Sequence, residues 1–439
     1  MKSQILIQKS KKQNQNKIKN KIKIKIKIKI NIIIKIKTKI KIKINFRNRF
    51  RNRSINLKEI GLIIQTINNF PNNEFIQNSA FGVLWNISFV DKRNSFEIEE
   101  LEKIKIIINL IKKFLTEETF LENILSTFQR LSGGLSRKEI EDRKQKGITI
   151  SECGGIEILI ELMGKFPYNQ VILERSISIF VNLALRYENQ IEIGKLKGIE
   201  PIIKAMINFP KNKNIQENGC WALLNMAYNN ENQIEIGKLK GIEPIIKAMI
   251  NFPKNENIQE NGCGALSNIG FNKKNKIEIR KLKGIEPIIK AMINFPKNEN
   301  IQKSGCGALL TLANNIEIRK LKGIEPIIKA MINFSNNSEI HQKACRALQN
   351  LSFNKQNKKE IVELKGITTI INSMNQFPTN ENIQKAGCIF LDNISSNQKN
   401  KEEIVKLDGI SVIENAIKNF PNNKMIQNKK SLLNSLKKN

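Results

Sequence analysis

Chemistry in a polypeptide needs nucleophiles, proton carriers or metal ligands within reach of one another, and this chain has one histidine, His341, and six cysteines. A Ser–His or Cys–His dyad could be built only around His341. That residue stands in a column held elsewhere by Gln77, Gln216, Gln259, Gln302, Gln384 and Gln427, so it reads as a substitution in a structural series. Cys220, Cys263, Cys306, Cys345 and Cys388 likewise share one column, which Phe81, Ile177 and Ser431 fill in other units. A position that accepts Cys, Phe or Ile is a packing position, and buried free cysteine behaves as a small hydrophobe. Metal centres want ligands at short spacings such as Cys-x-x-Cys, absent here. No Gly-x-x-x-x-Gly-Lys-Ser phosphate loop occurs, and Gly133-Gly134 stands alone. The expectation is a protein that is not an enzyme and has no cofactor, metal or small-molecule substrate. Reduced core thiols point to the cytosol, or to the nucleus.

These columns exist because one unit is copied along the chain. The fifteen residues from Lys195 to Phe209 return unchanged from Lys238, Lys281 and Lys320. Gly198, Gly241 and Gly284 are 43 apart, and Gly323, Gly366 and Gly409 follow at 39, 43 and 43. Such a period marks a solenoid, in which each repeat packs only on its neighbours. Within the unit, Ile199, Ile202, Ile203, Met206 and Ile207 form an apolar stripe at helical period. Pro201 fits the first turn of that helix, and Pro210 after Phe209 ends it. Ile215, Gly219, Ala222, Leu223 and Met226 mark a further helix, and Ile191–Leu196 a short preceding one closed by Gly198 as a left-handed cap. Three helices per repeat result.

Phe closes the second helix at Phe70, Phe114, Phe166, Phe209, Phe252, Phe295, Phe334, Phe377 and Phe420. This register gives nine repeats over residues 55–439, with second helices starting near 59, 103, 155, 198, 241, 284, 323, 366 and 409. Two irregularities stand out. Ser132–Lys146 reads as a surface insertion, and four residues are missing between Thr311 and Ile316, where the connection shrinks and the stack should bend or tighten. The last helix is polar, as an end cap requires. No apolar run approaches the roughly 20 residues of a membrane helix, and no signal-peptide pattern precedes the array.

Of the formal charge of +34, residues 1–58 supply 17 Lys and 4 Arg with no acid, leaving +13 for the rest. Residues 1–54 form a basic Lys/Ile low-complexity extension. Its alternation would place all isoleucines on one face of a strand, yet like charges repel at every second position. The open readings are a solvated extension, a tail contacting a polyanion such as an anionic membrane or nucleic acid, and a mitochondrial targeting segment.

Three helices in about 42 residues, Gly-Ile-x-Pro opening the second and Ala-Leu-x-Asn inside the third, carried here by Gly198, Ile199, Pro201, Ile202, Ala222, Leu223 and Asn225 and their copies, resemble the armadillo repeat. The Gln-x-x-Gly-Cys-x-Ala-Leu-x-Asn wording is most similar to armadillo arrays of large protist proteins and of leucine-rich-repeat kinases. The resemblance implies an all-α, right-handed α–α superhelix whose third helices line a concave groove for a protein partner. It also implies that a recurrent third-helix asparagine, here Asn86, Asn182, Asn225, Asn268, Asn350 and Asn393, holds an extended partner segment. A carboxamide offers a donor and an acceptor that match a peptide unit. The same asparagine could instead bond the backbone of the adjacent repeat and help end the third helix. Nuclear-import adaptors of this fold pair Trp with the Asn four residues on, and only Trp221 with Asn225 reproduces the pair, so recognition of basic signals is not expected. One turn back lie Glu174, Glu217 and Glu260, then Lys303, Lys343 and Lys385, a sign change that would orient a partner if these residues edge the groove. The reading is a non-catalytic scaffold or adaptor, with a peripheral membrane or nucleic-acid-associated protein led by the basic tail as the alternative.

Overall fold

The computed structural model describes residues 100–133, 140–312 and 315–438, together with the four isolated positions Thr66, Ile76, Ser79 and Ala80. Contacts divide the chain into two compact units, Met1–Glu99 and Glu100–Asn439. In the first unit the four described residues are helical. The basic extension, most of the first expected repeat and Asn86 lie outside the described residues.

In the second unit every regular element among the described residues is a helix. Second helices run over Glu100–Lys113, Gly155–Lys165, Ile199–Asn208, Ile242–Asn251, Ile285–Asn294, Ile324–Asn333, Gly366–Gln376 and Gly409–Asn419. Third helices follow them at Glu118–Leu131, Gln170–Leu183, Lys213–Met226, Glu256–Ile269, Glu299–Leu312, Ser338–Leu351 and Glu381–Ile394. These are repeats two to nine, in the register set by the phenylalanines.

Repeat four shows why the chain folds this way. Ile199, Ile202, Ile203 and Met206 are buried, so the stripe faces the core. Phe209 leaves the helix at φ −124°, and the Asn212 carboxamide oxygen then caps the third helix by accepting from the Asn214 and Ile215 N–H groups at 3.0 and 3.1 Å. Gln216 Nε2 reaches back to the carbonyls of Met206 and Phe209 at 2.8 and 3.0 Å, supplying the Met206 oxygen, whose helical donor Pro210 lacks, and adding to the Asn212 N–H bond that Phe209 already accepts. A β-carbon at Gly219 would lie 2.6 Å from Met206 Cγ, so glycine lets the methionine pack close, and repeat seven, with Ala344 at this position, must seat its methionine differently.

The cap between first and second helices differs from expectation. Gly198 is right-handed at φ −71°, and the left-handed residue is Lys197 at φ 60°. Lys240, Lys283, Lys322, Lys365 and Asp408 repeat this conformation. The hydrogen bonds are those of a Schellman turn, Gly198 N–H to Ile193 C=O at 2.8 Å and Lys197 N–H to Gly194 C=O at 3.0 Å. The glycine is needed for space: its β-carbon would stand 2.8 Å from Ile193 Cγ2 and 3.1 Å from Ile160 Cδ1.

First helices are longer than Ile191–Leu196 suggests. They span Tyr187–Lys195, Asn230–Lys238, Lys273–Lys281, Lys355–Glu363 and Gln398–Lys406, four of them capped by Asn229, Asn272, Asn354 and Asn397. The expected insertion is largely structural too. Residues Ile140–Glu152 form the first helix of repeat three, with Gly147 and Ile150 buried, and only residues 134–139 of that stretch lie outside the description. The four-residue deletion falls mostly on the first helix of repeat seven, which is cut to Asn315–Lys320.

That deletion has a chemical consequence. At intact joints an asparagine six residues beyond the end of the third helix donates back to its last carbonyl: Asn189 to Leu183, Asn232 to Met226, Asn357 to Leu351 and Asn400 to Ile394, all at 3.0–3.2 Å. Six residues beyond Leu312 stands Ile318, which has no donor. Arg280 takes over: its guanidinium donates to the Leu312 carbonyl, from Nε at 3.0 Å and from Nη2. Glycine occupies the equivalent positions 194 and 237.

Candidate functional site: the third-helix wall

Third helices of successive repeats pack on one another more extensively than first or second helices do. The layers are therefore closest along this wall, as an inner surface requires. Its asparagines use their donors within it. Asn225 Nδ2 donates to the Val181 carbonyl at 3.0 Å and Asn268 Nδ2 to the Leu224 carbonyl at 3.3 Å, in each case the residue just before the asparagine of the preceding repeat. Where the preceding third helix ends in serine the same carbonyl is reached in two steps. Asn182 donates to Ser132 Oγ at 2.9 Å and Ser132 Oγ to the Gln129 carbonyl at 2.7 Å; Asn393, Ser352 and Gln349 repeat the relay at 2.9 and 2.7 Å.

Asn182 and Asn225 are buried, whereas Asn268, Asn350 and Asn393 are half-buried. Asn182, Asn225, Asn268 and Asn393 thus each direct an amide donor to the preceding repeat. Trp221 is half-buried, and along its column Gly264 and Gly307 follow, then an exposed Arg346. A β-carbon at Gly264 would meet Leu224 Cδ1 at 2.9 Å, so the wall closes there over the leucine.

The charges one turn back are half-buried and mostly tied across repeats. Glu174 accepts from Asn214 Nδ2 at 3.0 Å, and Glu217 from Asn257 and Asn255 at 2.8 and 3.2 Å. Lys303 pairs with Glu339 at 3.4 Å. Glu339 occupies the column of Asn214 and Asn257, so when the acid became lysine its partner became an acid. Burial pushes the Lys343 ammonium below its ordinary value, with Glu339 opposing. Glu260 and Lys385 occupy equivalent half-buried positions.

The chemistry-bearing residues lie in the core. Cys220, Cys306, Cys345 and Cys388 have thiols pushed up to about 12 by burial, and Cys263 is pushed up as well. Cys153 is half-buried. Burial also raises the Cys153 thiol, but as the one cysteine not fully buried it should be labelled first by a thiol reagent in the native protein, with all six labelled in denaturant, as read by mass spectrometry. Among the described residues no three His, Cys, Asp or Glu side chains are grouped as a metal site would require.

His341 donates to or accepts from Ser373 Oγ through Nδ1 at 2.8 Å, and its ring lies 5.0 Å from that of Phe377. Nε2 is buried and faces the Met331 and Phe334 carbonyls without a well-formed hydrogen bond. Burial lowers its pKa and those carbonyls oppose the shift. A histidine lowered in the folded state binds fewer protons than in the unfolded state, so its contribution is intact above about 6.5 and lost as pH falls through that value toward the folded pKa. His341→Gln would restore both carbonyl bonds. It should add about 1 kcal/mol at pH 7 and flatten the loss of stability toward pH 5, measured by denaturant titration.

The family model described as LRRK2 ARM repeat matches residues 56–241 and 282–438. The chain belongs to this armadillo-repeat family. Among solved structures that match, β-catenin, whose interaction with cadherin is controlled by a conserved phosphorylation switch, is 15 % identical with a TM-score of 0.66, covering 83 % of this chain and 68 % of that one. An engineered protein is 22 % identical with a TM-score of 0.46, covering 55 % of this chain and 97 % of that one. No curated protein matches the sequence. The likeness to β-catenin establishes the armadillo solenoid and nothing finer. Within the armadillo array, sequence reasoning missed the first-helix asparagines and Arg280, although their signal was present as Asn six residues past each third helix and as Gly replaced by Arg next to a deletion.

Proposed function

We propose that this armadillo array is a non-catalytic interaction scaffold that takes an extended partner segment along its third-helix wall. The observation that supports the reading is the continuity of that wall: third helices of consecutive repeats lie in direct contact, joined by asparagine donors that fix the spacing from layer to layer. On this reading Asn268 and Asn393, half-buried with their donors directed to the preceding repeat, offer carbonyl oxygens to partner N–H groups, and the half-buried Asn350 continues the series. Trp221 and Arg346 supply side-chain contacts at either end of the two glycines. Glu174, Glu217 and Glu260, followed by Lys303, Lys343 and Lys385, give the partner its direction along the wall. The armadillo neighbour β-catenin engages a protein partner, which fits this use of the fold.

A photo-crosslinking residue at Gln349 or Arg346 on the wall should capture a partner in the native cell, whereas one at Ile332 on the second helix of the same repeat should not. Equal capture from both faces, or capture from Ile332 alone, would remove the wall from consideration.

A further inference from the structure

The first helices and the turns after them carry an exposed edge outside the helix packing of the array. In repeat five Ile234, Lys238 and Lys240 project from the first helix and the turn after it; Ile277, Lys281 and Lys283 repeat this in repeat six, and the same triplet stands in repeats four and seven. Ile234, Ile277 and Ile316 are 43 %, 52 % and 53 % exposed, comparable to Ile207, Ile250, Ile293 and Ile332 on the second helices; what sets the first-helix isoleucines apart is that Phe271, 68 % exposed, and lysines from two repeats stand beside them. Between repeats five and six lies an open groove of about 1060 Å³, with Ile234 and Phe271 as its apolar wall and Lys238, Lys240, Lys273 and Lys274 at its rim. Lys240 and Lys283 are held left-handed, a conformation glycine would adopt without strain. A lysine kept repeatedly at a conformational cost is an outlier that asks for a function.

We propose that this first-helix edge docks the array on an anionic lipid surface. The isoleucines and Phe271 enter the interfacial zone while the lysines sit at headgroup level, the arrangement that binds amphipathic helices to charged bilayers. The acids on this edge are Glu231, Glu235, which pairs with Lys238 at 3.8 Å, Glu243 beside Lys240, and Glu278; across repeats five and six Lys238, Lys240, Lys273, Lys274, Lys281 and Lys283 outnumber them. Exposed isoleucine distinguishes the edge from a nucleic-acid surface, where planar side chains stack on bases and branched aliphatic chains contribute little.

The test uses the full chain with vesicles of phosphatidylcholine, with and without phosphatidylserine. The basic extension also attracts anionic vesicles, so the readout is placed on the edge itself: an environment-sensitive fluorophore on Lys273→Cys in a Cys153→Ser background. A blue shift should appear on vesicles containing phosphatidylserine and not on phosphatidylcholine alone. The combined Lys240→Gly, Lys283→Gly and Lys322→Gly variant should need roughly ten to a hundred times more lipid for the same shift. Glycine suits these turns, so that variant keeps its fold, which circular dichroism and thermal melting check. Ile234→Ser with Ile277→Ser should abolish the shift while salt-sensitive association through the extension persists. An unshifted probe on vesicles that do capture the protein, an unaltered lipid requirement in the glycine variant, or a shift produced by polyuridine in place of vesicles would each overturn the proposal.

Discussion

Gly366→Ala should destabilise the array by about 3 kcal/mol, while Lys365→Gly one residue earlier should stabilise it by about 0.5–1 kcal/mol. The two adjacent residues answer to different constraints. A β-carbon at Gly366 would lie 2.3 Å from Ile361 Cγ2 and 2.7 Å from the Ile361 carbonyl oxygen. The side chain could turn away, but the carbonyl belongs to the helix backbone and cannot. Lys365 has φ 61° with an exposed side chain, so its replacement removes the strain of a β-carbon in a left-handed residue and loses no buried contact. The conventional expectation, that glycine supplies the positive φ, predicts the reverse ordering. Denaturant titration of both variants distinguishes them.

Arg280→Gly should cost about 2–3 kcal/mol and split unfolding into two transitions, with the break between repeats six and seven. The arginine covers the Leu312 carbonyl at the joint where the deletion has taken away the usual asparagine. Glycine, the residue of the neighbouring copies, would leave that oxygen without its donor. Arg319→Gly is the control, because Arg319 donates to the exposed Gln356 Oε1 at 2.7 Å and lies near the Glu360 carboxylate but covers no helix-end carbonyl, and should change stability by less than about 1 kcal/mol. Hydrogen exchange would locate the boundary. A single transition with unchanged midpoint would show that the shortened joint holds without the guanidinium.

Elements fixed by hydrophobic period were readable in the sequence. Ile199, Ile202, Ile203 and Met206 announce a helix whose end Phe209 and Pro210 mark, and the cysteine column reads as core because Phe and Ile share it. What depends on amide chemistry was not readable. Asparagine is abundant, and the same side chain caps third helices at Asn212, joins first helices at Asn232 and joins third helices at Asn225. Composition cannot separate these roles, since they differ only in which carbonyl lies within reach. The handedness of Lys197 was hidden for a related reason: Gly-Ile suggests a flexible glycine, and only the packed position of Ile160 shows that space, not torsion, excludes a side chain. Ile140–Glu152 escaped because its charged residues mask a helix that buries Gly147 and Ile150.

The asparagine bonds between repeats run in one sense. Asn208 donates to Pro167, Asn225 to Val181, Asn232 to Gln190, Asn251 to Pro210, Asn393 to Ser352 and Asn419 to Pro378, always from a later repeat to the one before. The stack is therefore polar. A trailing repeat brings its own donors to acceptors already present on the repeat before it, so its loss strands no asparagine donor in the repeats that remain. Removing a leading copy instead strands amide groups in its successor. Fragments lacking the front of the array should therefore fold less well than fragments of equal length lacking the back.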